Sequence, residues 1–129
     1  MSYEFNLTLA GDFEQVLERV RAALMEEQLG IVSEINVQAI FKAKMDKDIA
    51  PYRIFGACNP KLAADLISVE PNAGTLLPCN FIMYEVAPDQ VVVSFMDPVT
   101  VLGLAQSEVA QQIAALAKAK LTRVVAKLA

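Results

Sequence analysis

Cys79-Asn80-Phe81-Ile82-Met83-Tyr84-Glu85-Val86-Ala87-Pro88-Asp89-Gln90-Val91-Val92-Val93-Ser94-Phe95-Met96 is the stretch that decides the fold. Two runs rich in β-branched and aromatic residues, Cys79 to Val86 and Gln90 to Met96, flank Ala87-Pro88-Asp89, and this pattern predicts a β-hairpin. Between Val91 and Met96 only Ser94 is polar, so the second strand is expected in the middle of a sheet with both faces covered. Covering the second face calls for helices there or for a partner subunit.

Working outward toward the N-terminus, Tyr3, Phe5, Leu7 and Leu9 alternate with Glu4, Asn6 and Thr8, the period of a strand with one buried face. Gly11-Asp12 breaks it, with Asp12 as the N-cap of a helix and Gln15 at the capping-box position. Phe13, Val16, Leu17, Val20 and Leu24 form that helix's apolar stripe. Gly30 stands where a left-handed C-terminal cap is expected. Ile31, Ile35 and Val37 then alternate with Glu34 and Asn36 as a second strand, so the helix should lie across the sheet between the two.

Residues 38–46 change period. Val37, Ile40, Phe41 and Met45 mark one side of a short helix, Lys42 and Lys44 the other, and Pro51 closes the insert. Tyr52 to Ala57 reads as a third strand. Asn59 is a good cap and Pro60 suits the first helical position, so a helix is expected over about Pro60 to Val69. Pro71, Asn72 and Gly74 signal a loop. Beyond the hairpin, Asp97-Pro98 ends the strand and Ser107 opens a long helix with Val109, Ile113, Leu116, Leu121, Val124, Val125 and Leu128 inward. Its cations, Lys118, Lys120, Arg123 and Lys127, gather toward the negative end of the helix dipole.

The sum is an α+β fold, a two-layer sandwich of a mostly antiparallel five-stranded sheet with helices packed on it, read as one domain over residues 1–129. Hydrophobic residues make up 55% of the chain and charged ones 20%, enough for a core without disulfide or metal staples. No apolar run approaches the roughly 20 residues of a membrane span. The first residues lack the basic and apolar regions of a secretory signal, so a cytoplasmic location is expected, with Cys58 and Cys79 as reduced thiols. A net charge of −4 and the lack of an arginine-rich stretch exclude nucleic acid as a partner class. There is no histidine, which removes histidine-based triads and the commonest zinc ligand.

Four stretches carry a resemblance: Ser33-Glu34-Ile35-Asn36-Val37-Gln38-Ala39, Tyr52-Arg53-Ile54-Phe55-Gly56-Ala57-Cys58-Asn59-Pro60, Leu77-Pro78-Cys79-Asn80 and Met96-Asp97-Pro98. In order and spacing they resemble the family called domain of unknown function 302, over nearly the whole length. The resemblance implies a β-α-β(4)-α fold with mostly antiparallel strands. It implies no activity and no catalytic residues.

The candidate site is the end of the sheet where two Cys-Asn dipeptides are expected side by side. Cys58 precedes a helix whose dipole would lower a thiol's pKa, and Cys79 begins the next strand. Together they read as a redox-switchable or soft-metal-binding pair with Met96 as thioether neighbour, or as two small buried hydrophobes. Two thiols are too few for a closed metal site, and no metal is assigned. The Asn59-Pro60 helix start reads as an anion pocket supplemented by Lys42, Lys44 or Arg53, or as a plain cap beside solvated lysines. Arg53 in mid-strand needs a partner, for which Glu34 and Glu85 are candidates. Glu34, Glu85 and Asp97 read as converging acid/base groups, or as outward charges with Asp97 capping a turn.

The expected function is therefore a small-molecule or anion-binding regulatory domain, a homodimer, using Cys58, Asn59, Cys79, Asn80, Arg53, Glu34 and Asp97. The alternatives are a thiol-based redox or soft-metal-binding protein on the same residues, and a structural interaction module. No membrane partner and no cofactor class follows, and whether a reaction is catalysed stays open.

Overall fold

The structure, a computed structural model, describes residues 2–129. Five strands, β1 (Glu4–Ala10), β2 (Gly30–Asn36), β3 (Tyr52–Cys58), β4 (Cys79–Ala87) and β5 (Gln90–Met96), form one sheet in the order β1-β5-β4-β3-β2. All four pairings are antiparallel. The helices are α1 (Phe13–Glu26), α2 (Val37–Met45), α3 (Pro60–Val69), α4 (Pro98–Leu102) and α5 (Glu108–Leu128). Short 3₁₀ turns at Pro71–Leu76 and Gly103–Ala105 connect them. No helix of the described residues is long and apolar enough to cross a membrane.

Register explains how the sheet builds its core. Phe55 pairs with Phe81, Phe81 with Phe95 and Phe95 with Phe5, so four phenylalanines stand in a row across β3, β4, β5 and β1. Their ring centroids lie 4.8, 5.5 and 5.7 Å apart in that order. Cross-strand aromatic pairs of this kind each add about 0.2–1 kcal/mol beyond area burial. Because side chains alternate along a strand, Met83, Val91, Val93 and Leu9 share the phenylalanine face, and α1 and the C-terminal half of α5 cover it with Val16, Val20, Leu24, Leu121 and Val124.

A second, smaller cluster lies beyond the sheet's edge at the level where β3 ends and β4 begins. Leu66 of α3 and Leu102 of α4 meet Ala110, Ile113 and Ala114 from the N-terminal half of α5. One long helix thus spans both clusters. Leu116, expected inward, is 54% exposed. It falls on the outer side of α5, whose inner side buries the three alanines Ala110, Ala114 and Ala117 along with Ile113, Leu121, Val124 and Leu128.

Caps fall largely where side-chain chemistry places them. Asp12, Asn59 and Ser107 each accept a backbone N–H of the first turn of α1, α3 and α5. Asn36 does the same for α2 and Asp97 for α4. Gly30 does not close α1. The left-handed residue is Gln28, with φ +61, and Leu29 N–H donates to Leu24 O at 2.9 Å, which leaves Gly30 free to begin β2. A non-glycine residue pays about 1–2 kcal/mol for that conformation.

The larger cluster takes its sheet residues from the phenylalanine face, and the smaller one contains no strand residue. The opposite face carries Tyr52, Ile54, Ile82, Tyr84, Val92 and Ser94 and contributes to neither cluster among the described residues. Val92 is buried, yet Tyr84 and Ile82 beside it are only half-buried. β5 lies one strand in from the edge, so its second face is shielded by strand neighbours instead of a helix layer of the kind α1 and α5 provide.

Candidate functional site

The two cysteines share one end of the sheet. Ala57 pairs with Cys79 across β3 and β4, so Cys58 ends β3 one residue beyond that pair. Both thiols are free and half-buried, and both line a narrow crevice under α3 and α5 with Leu62, Leu66 and Ile113. The crevice measures about 30 Å³, room for one water. Gly56 is packed so closely at this end that a Cβ there would run into Pro78 Cγ and Ser33 Oγ.

The thiols are not activated by the helix end. Burial pushes the Cys58 thiol above its ordinary range, and burial followed by the neighbouring Cys58 pushes Cys79 up to about 11. The dipole of the α3 terminus does not win because apolar side chains surround the sulfurs and penalise a thiolate. Asn59, the cap, also spends both ends of its amide: Oδ1 accepts from Leu62 N–H at 3.1 Å and Nδ2 donates to Gln28 O at 3.3 Å. Asn80, paired with Gly56, turns to the opposite sheet face. The dipeptides are neighbours, but their four side chains do not form one pocket.

Arg53 belongs to the far end of β3, and Glu34 to the neighbouring β2. Arg53 Nη2 donates to Glu14 Oε1 at 2.6 Å and Nη1 to Glu34 Oε2 at 3.3 Å, while the guanidinium stacks 4.9 Å from the Phe13 ring centroid. Glu85 faces Val91 and takes no part. Five residues of extended chain, about 17 Å, separate Arg53 from Cys58. Lys42 is engaged with Asp46 and Asp48 at 2.8 and 3.1 Å. Of the cations expected at the Asn59-Pro60 helix start, Arg53 and Lys42 are therefore elsewhere, held by carboxylates, and Lys44 lies on α2.

Asp97 follows β5 at the cysteine end. Its Oδ1 accepts from Val99 N–H at 3.0 Å and its Oδ2 from Lys118 Nζ at 2.5 Å, and that ammonium sits 4.4 Å from the Phe5 ring centroid. This side chain ties the sheet to α5. Glu34, Glu85 and Asp97 do not converge, because two lie at one end of the sheet and one at the other.

The larger concavity is on the open sheet face, a cleft of about 360 Å³. Glu4 and Asn6 of β1, Ser94 of β5 and Asn80 of β4 supply its polar groups, and Ile82 and Met96 its apolar wall. Met96 thus faces this cleft and not the thiols. Asn6 Nδ2 donates to both Glu4 oxygens at 2.9 and 3.2 Å, and Ser94 Oγ donates to Glu4 Oε2 at 2.5 Å. These bonds, Asn6 first and Ser94 second, hold the Glu4 carboxyl below its usual range against the opposing effect of burial.

The family model called domain of unknown function DUF302 matches residues 5–128. The chain belongs to the DUF302 family. The crystal structure of an uncharacterized conserved DUF302 protein from Bacillus stearothermophilus superposes with a TM-score of 0.89 at 19% identity, covering 100% of both chains. At that identity the likeness shows a shared fold. No curated protein matches the chain.

In this DUF302 chain, sequence reasoning gathered Cys58, Asn59, Cys79 and Asn80 at one end of the sheet and missed Glu4, Asn6 and Ser94. Their signal was present as alternation: Glu4 and Asn6 occupy the polar positions of β1, and Ser94 is the lone polar residue after Val91 in β5. What was not visible is that β1 pairs with β5, a contact between residues about ninety positions apart. Chemically the cleft offers a fixed, ionised carboxylate beside amide and hydroxyl groups. Among the described residues, no group of three or more cysteine, aspartate or glutamate side chains is placed to hold a metal ion.

Proposed function

We propose that this DUF302 domain binds a small organic ligand in the cleft on its open sheet face. The observation that carries this reading is the Glu4 carboxylate, oriented by Asn6 and Ser94 inside a concavity of about 360 Å³, a size typical of small-molecule sites. The crevice at the cysteines is an order of magnitude smaller and apolar, so of the expected site residues Asn80 is the one that joins the ligand site. No reaction is assigned: the cleft contains no second carboxylate, and the one carboxylate that the Ser94 hydroxyl meets is held below its usual pKa, which makes it a weak base.

Native mass spectrometry of freshly purified protein, followed by a thermal-shift screen of metabolites, tests the reading. A retained ligand or a stabilising compound is expected, and the effect should disappear in Asn80→Trp, whose bulk fills the cleft from an exposed position. Stabilisation that persists in Asn80→Trp would place binding elsewhere.

A second reading, homodimerisation, is favoured by the other half of the same face. Tyr52 stacks on Tyr84 with centroids 5.5 Å apart, next to Ile54, Val92 and the exposed Ile35. Register places no Lys or Arg among the strand residues of this face. From strand spacing and rise the whole open face, cleft included, spans about 550 Å² per copy, so two copies back to back bury about 1,100 Å², just under the range of about 1,200–2,000 Å² of stable interfaces. A second copy is the occupant because each copy presents the same surface, whose one strand charge is Glu4 on the edge strand β1, as a two-fold interface requires. Sedimentation analysis should show a dimer that Ile54→Lys dissociates; a monomer at high concentration overturns it.

A further inference from the structure

The cleft's chemistry is one-sided. Its lining contains a single formal charge, Glu4, and no cation. The polar groups nearest that charge have committed their donors to it: one Nδ2 of Asn6 and the hydroxyl of Ser94 both point at the carboxylate. What they leave to a visitor beside the charge is acceptor capacity, namely the remaining lone pairs of Glu4, the Asn6 carbonyl and the Ser94 oxygen. The cleft's other donors, the Asn80 amide and the Tyr3 and Tyr84 hydroxyls, belong to other lining residues. An anion entering here meets a like charge. A ligand rich in donors meets a preorganised set of acceptors.

Two further features narrow the class. Tyr3 and Tyr84 line the cleft, and aromatic rings attract organic cations by their quadrupole. Ile82, Met96 and Val101 supply an apolar wall that suits a short carbon chain. On the reading of this cleft as a ligand site, we propose that it takes a primary aliphatic ammonium, with the charged head on Glu4 and the tail against Ile82 and Met96. This replaces the anionic ligand expected from the helix start at Asn59, two of whose candidate cations, Arg53 and Lys42, are engaged at the far end of the sheet and on α2.

The test uses three probes of one tail length, n-butylammonium, n-butanol and n-butyrate, titrated into the ¹⁵N-labelled protein at neutral pH. The ammonium should saturably shift the amide signals of Asn80, Ile82, Ser94 and Met96, binding at least about tenfold more tightly than the alcohol, as a charge-assisted hydrogen bond gives. Butyrate should leave those signals in place. Glu4→Gln should bring the ammonium down to the alcohol's affinity; if that variant does not fold, the contrast among the probes on the native protein still decides. Equal binding of alcohol and ammonium, or preferential binding of butyrate, overturns the charge assignment while leaving the cleft as a ligand site. Absence of shifts at these four amides with all three probes overturns the ligand site itself.

Discussion

Phe81 stacks on Phe55 with ring centroids 4.8 Å apart and planes 14° from parallel, at one end of a row of four phenylalanines that crosses four strands. Both rings are fully buried. This row fixes the register of the sheet, because a slip of one residue in any strand would send its phenylalanine to the open face.

Replacing Phe81 by alanine should therefore cost about 3–5 kcal/mol, the usual range for emptying a packed aromatic site. Urea denaturation is the check, with Leu116→Ala, an exposed apolar position, staying within about 0.5 kcal/mol of the native protein. Equal losses at the two positions would contradict the core described above.

Gly56→Ala should destabilise by about 1–3 kcal/mol, since the added methyl meets Pro78 and Ser33 and overpacking of a tight site costs that much. Gly74→Ala, where nothing lies near the new Cβ, is the control. Thermal melts of the two variants compare them directly.

Alkylation against pH reports on the thiols. Both should react slowly with iodoacetamide at pH 7, Cys79 more slowly than Cys58, with Cys79 gaining its full rate only near pH 11. The sign for stability follows: a thiol whose pKa is raised by folding favours the native state below its unfolded value of about 8.5, and that contribution is lost as pH rises toward 11. A thiol that alkylates rapidly in the native protein at pH 7 would restore the redox reading of this pair.

Glu27 offers the acid-side counterpart. Lys127 first and Arg123 second hold its carboxyl below the usual range, at 3.0 and 2.8 Å, joining the end of α1 to the end of α5. A depressed carboxyl contributes stability above its unfolded pKa and loses it as pH falls through the folded one. Urea midpoints of native protein and Glu27→Gln should accordingly differ at pH 7 and converge as the solution is acidified below pH 4. A gap that stays constant with pH would assign the difference to packing.

Residues near in sequence made much of this legible. The alternation from Tyr3 to Leu9, the Ala87-Pro88-Asp89 turn and the Asn59-Pro60 cap each depend on neighbours within a few positions, and the strands and helices stand there to within one or two residues. The misreadings have the same cause in reverse. Gly30 looked like a cap because local chemistry favours glycine in a left-handed conformation, yet Leu29 is buried in the core, and to bury it the chain turns two residues earlier, at Gln28. Arg53 needed a partner, as expected, but Glu14 became the shorter of its two contacts once α1 lay across β3.

By itself, then, the amino-acid order determined the elements, the α+β class and the meeting of Cys58 and Cys79, since those rest on short-range periodicity and on adjacent antiparallel strands. Only the tertiary structure decided that β1 closes against β5, setting Glu4 and Asn6 beside Ser94 and Asn80 in a cleft. It also decided that burial raises the pKa of both thiols where the helix end was expected to lower it. Both outcomes depend on which faces meet across long stretches of chain, and burial and charge are properties of that meeting, not of any residue alone.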